Sequence, residues 1–209
     1  MLPREFYLRP AVEVAPALLG KLLVHRSRSG LAAGMITEVE AYAGPEDDGA
    51  HSYGGRLTER TKIQYGPGGF AYVFGIYGMH WCFNAVTAGP GKPEVVLVRA
   101  LEPVQGLELM RLRRGTEKAE NLCTGPGKLC QALGITKAQY GLDLCDSPLT
   151  IEEYQEIPSA HIALSPRVNI DYAETCRDNL WRFYIKDSRY VSKVPKRYAM
   201  VTTLDKMGK

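Results

Sequence analysis

The 209-residue sequence lacks the spacing that a metal centre or a disulfide framework needs. Its five cysteines are odd in number, they form no Cys-x-x-Cys pair, and only four histidines accompany them. Structural zinc sites and disulfide-rich domains both depend on such recurrent pairs. The sequence therefore predicts no metal site, and we expect no organic cofactor.

Long hydrophobic runs and a strong charge imbalance are missing too. No apolar stretch approaches the roughly 20 residues of a membrane-spanning helix, and residues 1–7 lack the apolar core of a secretory signal. We therefore expect a cytoplasmic protein without a membrane partner. Lysine and arginine number 26 against 23 aspartates and glutamates, and this net charge of +3 permits a polyanionic partner without demanding one.

The composition predicts one domain. With 45% hydrophobic and 23% charged residues, the chain is long enough for one sizeable core and too short to promise two. We expect a single domain over residues 1–196 and a loose C-terminal tail over residues 197–209.

The first informative segment is an alternating one. Residues 35–42 predict a strand that carries Ile36, Glu38, Glu40 and Tyr42 on one face. Two carboxylates and a tyrosine would then lie side by side. On residue pattern alone, such carboxylates are most often solvated groups on the polar face of a half-exposed strand.

A second strand, predicted over residues 94–101, places a cation among apolar side chains. Arg99 shares its predicted face with Leu101. Because a buried, unpaired guanidinium is costly, Arg99 needs an acidic partner. Glu40 is one candidate and Glu102 is the structural alternative, although the alternation puts Glu102 on the opposite face.

Residues 70–77 and 80–87 are β-prone, aromatic-rich runs joined through Gly78, which is typical of a β-hairpin. Aromatic side chains in such runs usually pack in a core. Tyr77 is the exception that the pattern favours, because it stands next to the turn and can project outward.

Helices are predicted over residues 11–19, from Pro103, and from Thr124 to a closing Gly134. Residues 45–69 are rich in glycine, proline and charge without periodicity, so we expect an irregular loop that borders a functional site. The predicted fold is mixed α/β (α+β), a single domain with a curved, largely antiparallel sheet, flanking helices and a protruding hairpin.

Four segments together resemble the alkyladenine DNA glycosylase family, also called the methylpurine or 3-methyladenine DNA glycosylases. The segments are EVEAYAGPEDDGAHS (38–52), YVFGIYGMH (72–80), VRALEP (98–103) and CTGPGKLCQAL (123–133). Further matches run in the family's order from residues 6–11 and 18–24 to residues 181–184 and 190–192. No single motif is decisive, but their shared order and spacing is specific.

The resemblance implies a hydrolytic site without metal or cofactor. Glu40 matches the carboxylate that deprotonates the attacking water, and Arg99 matches the arginine that holds water and carboxylate in place. A carboxylate suits this reaction because cleavage of an N-glycosidic bond builds positive charge on the sugar. The family pattern places no lysine nucleophile, so we expect a monofunctional enzyme that leaves an abasic site.

The resemblance also implies a base pocket. Tyr42 matches an aromatic that stacks on the flipped base, and His51 matches the histidine on its other side, whose backbone amide reaches the base edge. Asn84 matches an asparagine that disfavours the exocyclic amine of guanine. Phe74 stands beside the pocket but lacks a hydroxyl that some members have. Unaided, the pattern makes His51 a surface histidine in a mobile loop.

At the hairpin, Tyr77 matches the tyrosine that is wedged into the DNA minor groove, and His80 replaces a tyrosine of better-known relatives. Gly125, Gly127 and Lys128 precede or begin a predicted helix. Their segment is equally consistent with a simple helix start and with binding of a DNA-backbone phosphate by free amides.

We therefore expect a monomer that acts on damaged double-stranded DNA, and that is associated with the nucleoid if the source is a bacterium. The expected substrates are 3-methyladenine, 7-methylguanine, hypoxanthine and ethenoadenine, extruded from the duplex before hydrolysis. Two alternatives stay open: a damage-recognition module that binds flipped bases without cleaving them, and a hydrolase of free nucleosides or nucleotides.

Overall fold

The fold is organised around one large antiparallel sheet. The computed structural model describes residues 1–207. The strands in this part of the chain are β1 (Leu22–Ser27), β2 (Gly30–Tyr42), β3 (Ala71–Ile76), β4 (His80–Thr87), β5 (Glu94–Gln105), β6 (Leu149–Glu152), β7 (Ile162–Ser165), β8 (Arg182–Ile185) and β9 (Thr202–Thr203). Their order is β3-β4-β5-β2-β8-β7-β9, with β1 paired to both β2 and β6.

Short helices flank the sheet. They are α1 (Arg4–Tyr7), α2 (Ala11–Leu18), α3 (Leu107–Arg114) and α4 (Pro126–Leu133). Helix α2 packs on β2, α4 packs on β4, and α3 packs on α4. The predicted mixed α+β domain with a large antiparallel sheet is confirmed. Among residues 1–207, no helix is long and apolar enough to cross a membrane.

Strand β2 lies in the middle of the sheet. One of its edges pairs with β5, and the other pairs first with β1 and then with β8. Residues 32–41 are all buried as a result. The alternative of a half-exposed strand with solvated carboxylates is therefore wrong, and the acidic side chains of β2 must find partners inside the protein.

Two irregularities interrupt the ladder between β2 and β5. Thr37 on β2 and Arg99 on β5 are each left out of the pairing, so that each strand carries one extra residue. The flanking pairs are Ile36 with Leu101, Glu38 with Ala100, and Val39 with Val98. Such bulges bend a strand and redirect its side chains, and they are frequent beside active sites.

These bulges overturn two face assignments made from alternation. Ile36 belongs to the main hydrophobic core, together with Val39, and does not share a face with Glu38. Leu101 is likewise in that core and not beside Arg99. The physical reason is that one extra residue reverses the in–out alternation of everything that follows it.

Strands β3 and β4 form the expected hairpin. Their pairing closes at Ile76 and His80, which leaves a turn of Tyr77, Gly78 and Met79. Tyr77 and Gly78 both have positive φ, 51° and 72°. A glycine suits this turn because it adopts a left-handed backbone without steric cost.

The second helix begins later than predicted. Pro103 does not open it but lies within β5, opposite Gly34 at a register shift in the pairing. Proline is tolerated at such irregular positions because no ladder hydrogen bond is needed there. The chain turns at Gly106, with φ 78°, and only then enters α3.

Helix α4 ends at Gly134 as predicted, but its start differs. The residue before the helix is Gly125, with φ 144°, and no side chain caps the helix there. The hydroxyl of Thr124, the predicted cap, instead donates to the carbonyl oxygen of Glu120, 2.7 Å away. The first amides of α4 are thus left without a side-chain acceptor.

The C-terminal segment differs from the expected loose tail up to residue 207. Strand β9 pairs with β7, and the side chain of Tyr198 is only 4% exposed. Tyr198 also accepts a hydrogen bond from the amide of Asn169 at 3.2 Å. Residues 208 and 209 lie outside the described part of the chain.

Candidate active site

A cavity opens on the sheet beside β2, β3, β4 and β5. It holds about 490 Å³ of free space, including the solvent at its open mouth. Its lining residues are Tyr42, Gly49, Ala50, His51, Gln64, Tyr72, Phe74, Asn84, Val95, Leu97, Val168, Asn169, Ile170 and Tyr172. All four residues predicted for a base pocket therefore line one cavity.

Glu40 lies directly behind this cavity. Its Oε2 accepts a hydrogen bond from the Tyr42 hydroxyl at 3.0 Å and one from Nη1 of Arg99 at 3.3 Å. Its Oε1 accepts one from the amide of Val168 at 2.7 Å. The side chain of Glu40 is 0% exposed, so Tyr42 and Val168, which line the cavity, separate its carboxylate from the cavity.

Glu38 has a different set of partners. Its Oε1 accepts from Nε of Arg99 at 2.9 Å, from Nε of Arg182 at 2.7 Å and from the hydroxyl of Ser192 at 2.8 Å. Its Oε2 accepts from the Ser192 amide at 2.7 Å. Glu38 thus ties β2 to β5, to β8 and to the segment at Ser192, while Glu40 faces the cavity wall.

Arg99 therefore joins both carboxylates rather than Glu102. Burial alone raises the pKa of Glu38, but the guanidinium groups of Arg99 and Arg182 outweigh it, so the pKa is lowered. Burial lowers and the two carboxylates raise the pKa of Arg99, and the net change is upward. The pKa of Tyr42 is raised by burial and by the adjacent Glu40. These side chains form a charged, hydrogen-bonded floor beneath the cavity.

The ring of Tyr42 is fixed from behind by a buried ion pair. The guanidinium carbon of Arg167 lies 4.6 Å from the Tyr42 ring centroid and 5.0 Å from that of Trp181. Arg167 donates to both oxygens of Asp47, at 2.6 and 2.7 Å, and both side chains are 0% exposed. The bidentate geometry holds the guanidinium plane against the ring.

His51 belongs to the opposite wall. Its Nδ1 lies 2.8 Å from the Tyr72 hydroxyl, and its ring makes an edge contact with Phe74 at 4.6 Å between centroids. Nη2 of Arg60 lies 2.6 Å from His51 Nε2. Burial and the positive charges of Arg60 and Arg56 lower the pKa of His51 to about 4, so the imidazole is neutral near pH 7.

Asn84 completes the cavity. It is 2% exposed, and its Nδ2 donates to the carbonyl oxygen of Tyr72 at 3.1 Å. This bond fixes the amide and leaves its oxygen as an acceptor. Phe74, also in the wall, contributes an apolar ring and no hydroxyl.

The other predicted residues lie outside the cavity. Tyr77 is at the hairpin tip, 86% exposed, next to Met79, which is 75% exposed. Gly125, Gly127 and Lys128 are at the start of α4, close to the turn end of the hairpin, where a Cβ on Gly127 would lie 3.2 Å from His80. The structure thus separates a cavity group from a surface group around the hairpin.

Among residues 1–207, one group of side chains could approach a metal ion together: Asp47, Asp48 and Cys176. Their carboxylates are already engaged. Asp47 binds Arg167, and Asp48 accepts hydrogen bonds from the amides of Glu174, Thr175 and Cys176 at 2.6, 2.7 and 3.0 Å. These contacts tie residues 44–52 to the segment after β7.

Sequence reasoning missed several residues of the site. Tyr72 and Arg60 support His51, and residues 168–172 supply part of the cavity wall. The loop character of residues 45–69 was a usable signal for Arg60. Residues 168–172 carried none, because they reach the cavity from a distant part of the chain.

Comparison with known proteins places the chain in one family. The model of the family described as methylpurine-DNA glycosylase matches residues 5–189. A protein of Clostridium novyi is 50% identical over 200 residues, covering 92% of this chain and 98% of that protein. One from Desulfitobacterium hafniense is 50% identical over 200 residues, covering 91% and 98%. Both are named "Putative 3-methyladenine DNA glycosylase".

The family match and the coverage of these relatives make the protein a DNA N-glycosylase, a hydrolase of N-glycosyl bonds. The chain belongs to the methylpurine-DNA glycosylase family. Members of this family act in the repair of alkylated DNA, and DNA is the substrate of this protein.

Proposed function

We propose that this protein is a monofunctional glycosylase that extrudes alkylated or deaminated purines from duplex DNA and hydrolyses their N-glycosidic bond. The substrates are 3-methyladenine, 7-methylguanine, hypoxanthine and ethenoadenine, and the product is an abasic site. The observation that carries the proposal is that Tyr42 both lines the cavity and donates a hydrogen bond to Glu40. Base binding and acid–base chemistry thereby share one location.

Extrusion costs a few kcal/mol of stacking and pairing. Aromatic stacking contributes about 1–3 kcal/mol per base. Tyr77, exposed at the hairpin tip, fills the gap in the duplex, and Tyr42 with His51 holds the extruded base between its walls. The open amides at the start of α4, with Gly125, Gly127 and Lys128, bind a backbone phosphate beside the hairpin.

Glu40 is the general base in this proposal. Its Oε1 accepts a single hydrogen bond and keeps capacity for a water molecule. Because the carboxylate is 0% exposed, water reaches it only if Tyr42 or the segment at Val168 shifts. Entry of the base into the cavity supplies this shift. Arg99 then keeps the carboxylate oriented.

The monofunctional assignment rests on chemistry. Strand cleavage by a glycosylase needs an amine that forms a Schiff base with the sugar. Among the described residues that line the cavity, none is a lysine.

The decisive experiment compares the wild-type protein with Glu40→Gln on duplexes that contain hypoxanthine or 7-methylguanine. Alkali treatment after incubation cleaves strands at abasic sites. We expect wild-type cleavage and a loss of at least about 100-fold in Glu40→Gln, the lower end of general-base contributions, with affinity for lesion DNA within a few-fold. Normal turnover by Glu40→Gln would refute the assigned base.

The same assay separates the alternatives. A damage-recognition module binds the lesion duplexes but yields no alkali-sensitive strands from the wild-type protein. A nucleoside hydrolase releases purines from free nucleosides, and undamaged duplex DNA does not compete with that release. For the proposed enzyme, duplex DNA competes and the competition weakens as salt increases.

A further inference from the structure

Arg60 stands on the outer, solvent-exposed side of one wall of the cavity. Its Nε donates to the Tyr72 hydroxyl at 3.1 Å, its Nη2 lies 2.6 Å from Nε2 of His51, and its guanidinium carbon lies 4.8 Å from the Phe74 ring centroid. His51, Tyr72 and Phe74 all line the cavity. One guanidinium thus touches three cavity-lining side chains without lining the cavity itself.

The charge of Arg60 is not balanced by these contacts. His51 is neutral because its pKa is lowered to about 4, and burial raises the pKa of Tyr72, which keeps its hydroxyl protonated. The neighbouring Glu59 pairs with Lys62 at 2.7 Å. Among the ion pairs of residues 1–207, none includes Arg60.

The charges in the floor of the cavity and behind Tyr42 are paired. The floor contains two carboxylates and two guanidinium groups, and Arg167 pairs with Asp47 behind Tyr42. The floor groups are Glu38, Glu40, Arg99 and Arg182. The groove outside the cavity is lined by Arg56, Arg60 and one carboxylate, Asp48, so this side keeps a net positive charge.

We propose that Arg60 determines how the enzyme distinguishes cationic from neutral damaged purines. The inference rests on the proposed function. When the glycosidic bond breaks, its electron pair goes to the purine, whose charge falls by one unit. A cationic base such as 7-methylguanine leaves as a neutral molecule, and a neutral base such as hypoxanthine leaves with developing negative charge.

A fixed positive charge acts differently on the two steps. It repels a cationic base in the bound state and is indifferent to a neutral one, so it weakens binding of cationic lesions only. In the transition state it favours the charge that moves onto either base, so it accelerates bond cleavage for both. For cationic substrates, Arg60 therefore lowers the binding affinity and raises the cleavage rate. For neutral substrates, it raises the cleavage rate and leaves the affinity unchanged.

The test is Arg60→Gln, measured with 7-methylguanine and hypoxanthine duplexes. Single-turnover excision at saturating protein isolates the chemical step from binding. We expect the rate constant to fall roughly fivefold for both lesions, the size of a partly screened charge interaction. Binding affinity is measured in proteins that carry Glu40→Gln and is expressed relative to undamaged duplex. We expect Arg60→Gln to raise this affinity roughly fivefold for the 7-methylguanine duplex and to leave it constant for the hypoxanthine duplex.

Two control variants separate charge from geometry. Arg56→Gln removes an equal charge from the same outer groove and is expected to change both lesion affinities equally. Arg60→Lys keeps the charge but loses the forked contacts to His51 and Tyr72, and is expected to retain most of the wild-type discrimination. Melting temperatures of all variants are compared with that of the wild-type protein.

The outcomes are distinct. Equal affinity changes for the two lesions in Arg60→Gln, or an Arg60→Lys variant that behaves like Arg60→Gln, overturn the proposal while leaving the glycosylase assignment intact. A wild-type protein that produces no abasic sites from either lesion overturns the proposed function itself.

Discussion

The buried floor of the site and the tip of the hairpin are opposite solutions to holding a functional side chain. Glu38 and Glu40 are 0% exposed and each is held by hydrogen bonds to both carboxylate oxygens, whereas Tyr77 is 86% exposed at a turn where a Cβ on Gly78 would meet nothing within 4 Å. The floor is preorganised by packing, which suits a group that must act at one point. The tip is free to enter another molecule.

The comparison teaches that stability and function are separated within this chain. The buried charges of the floor are tolerated because they pair with one another, since an isolated buried charge is strongly destabilising. The hairpin tip makes few contacts and contributes little to folding. Substitutions in the two regions are therefore expected to affect different measurements.

The largest expected effect is on stability, from Glu38→Gln. The substitution leaves Arg99 and Arg182 short of a buried counter-charge, and breaking such a pair typically costs about 3–5 kcal/mol. Chemical denaturation measures the loss. Glu108→Gln, which removes an exposed partner of Arg111, is the matched control, with an expected loss below about 1 kcal/mol.

The acid dependence sharpens this prediction. Because the pKa of Glu38 is lower in the folded than in the unfolded chain, its contribution is complete above the unfolded value of 4.5 and is lost as the pH falls through the folded pKa. Wild-type stability should therefore approach that of Glu38→Gln in acid. A loss under about 1 kcal/mol at pH 7 contradicts the structural role of Glu38.

A smaller effect, confined to DNA, is expected from Tyr77→Ala. Loss of the stacking ring should weaken binding of lesion duplex by about 1–3 kcal/mol, while the free energy of unfolding changes by no more than about 0.5 kcal/mol. Tyr154→Ala, at another exposed tyrosine, is the control for a general loss of aromatic surface. Unchanged lesion affinity in Tyr77→Ala counts against the wedge.

The smallest effect concerns His51, which lies between the two regions. NMR titration of its imidazole should give a midpoint near 4, and Arg60→Gln should move the midpoint toward the ordinary 6.5. Since the unfolded chain takes up this proton first, stability falls as the pH drops from 6.5 toward 4. A wild-type midpoint above 6 would contradict the lowering of the His51 pKa by burial and by Arg60.

Local signals predicted much of the fold. Residues 80–87 and 11–19 were assigned to the elements observed as β4 and α2, because hydrophobic periodicity and a closing glycine act over a few residues. The prediction that Pro103 opens the second helix was wrong, because a proline that suits a helix start also suits an irregular strand position. Local sequence does not distinguish the two.

The candidate site was predictable only in part. The resemblance identified Tyr42, His51 and Asn84, and the structure brings them to one cavity. The bulges at Thr37 and Arg99 were not predictable from alternation, since pairing register depends on the neighbouring strand. Residues 168–172 reach the cavity through tertiary contacts that no local pattern records.

The hydrogen bond between Tyr42 and Glu40 has a consequence for fidelity. On the proposed mechanism, the side chain that stacks on a flipped base also shields the carboxylate that activates the attacking water. A normal nucleotide that swings out by chance but does not stack on the Tyr42 ring leaves Glu40 shielded from water. Such a nucleotide returns to the helix uncut. On this mechanism, extrusion alone does not lead to cleavage of a nucleotide. A second selection step takes place inside the cavity.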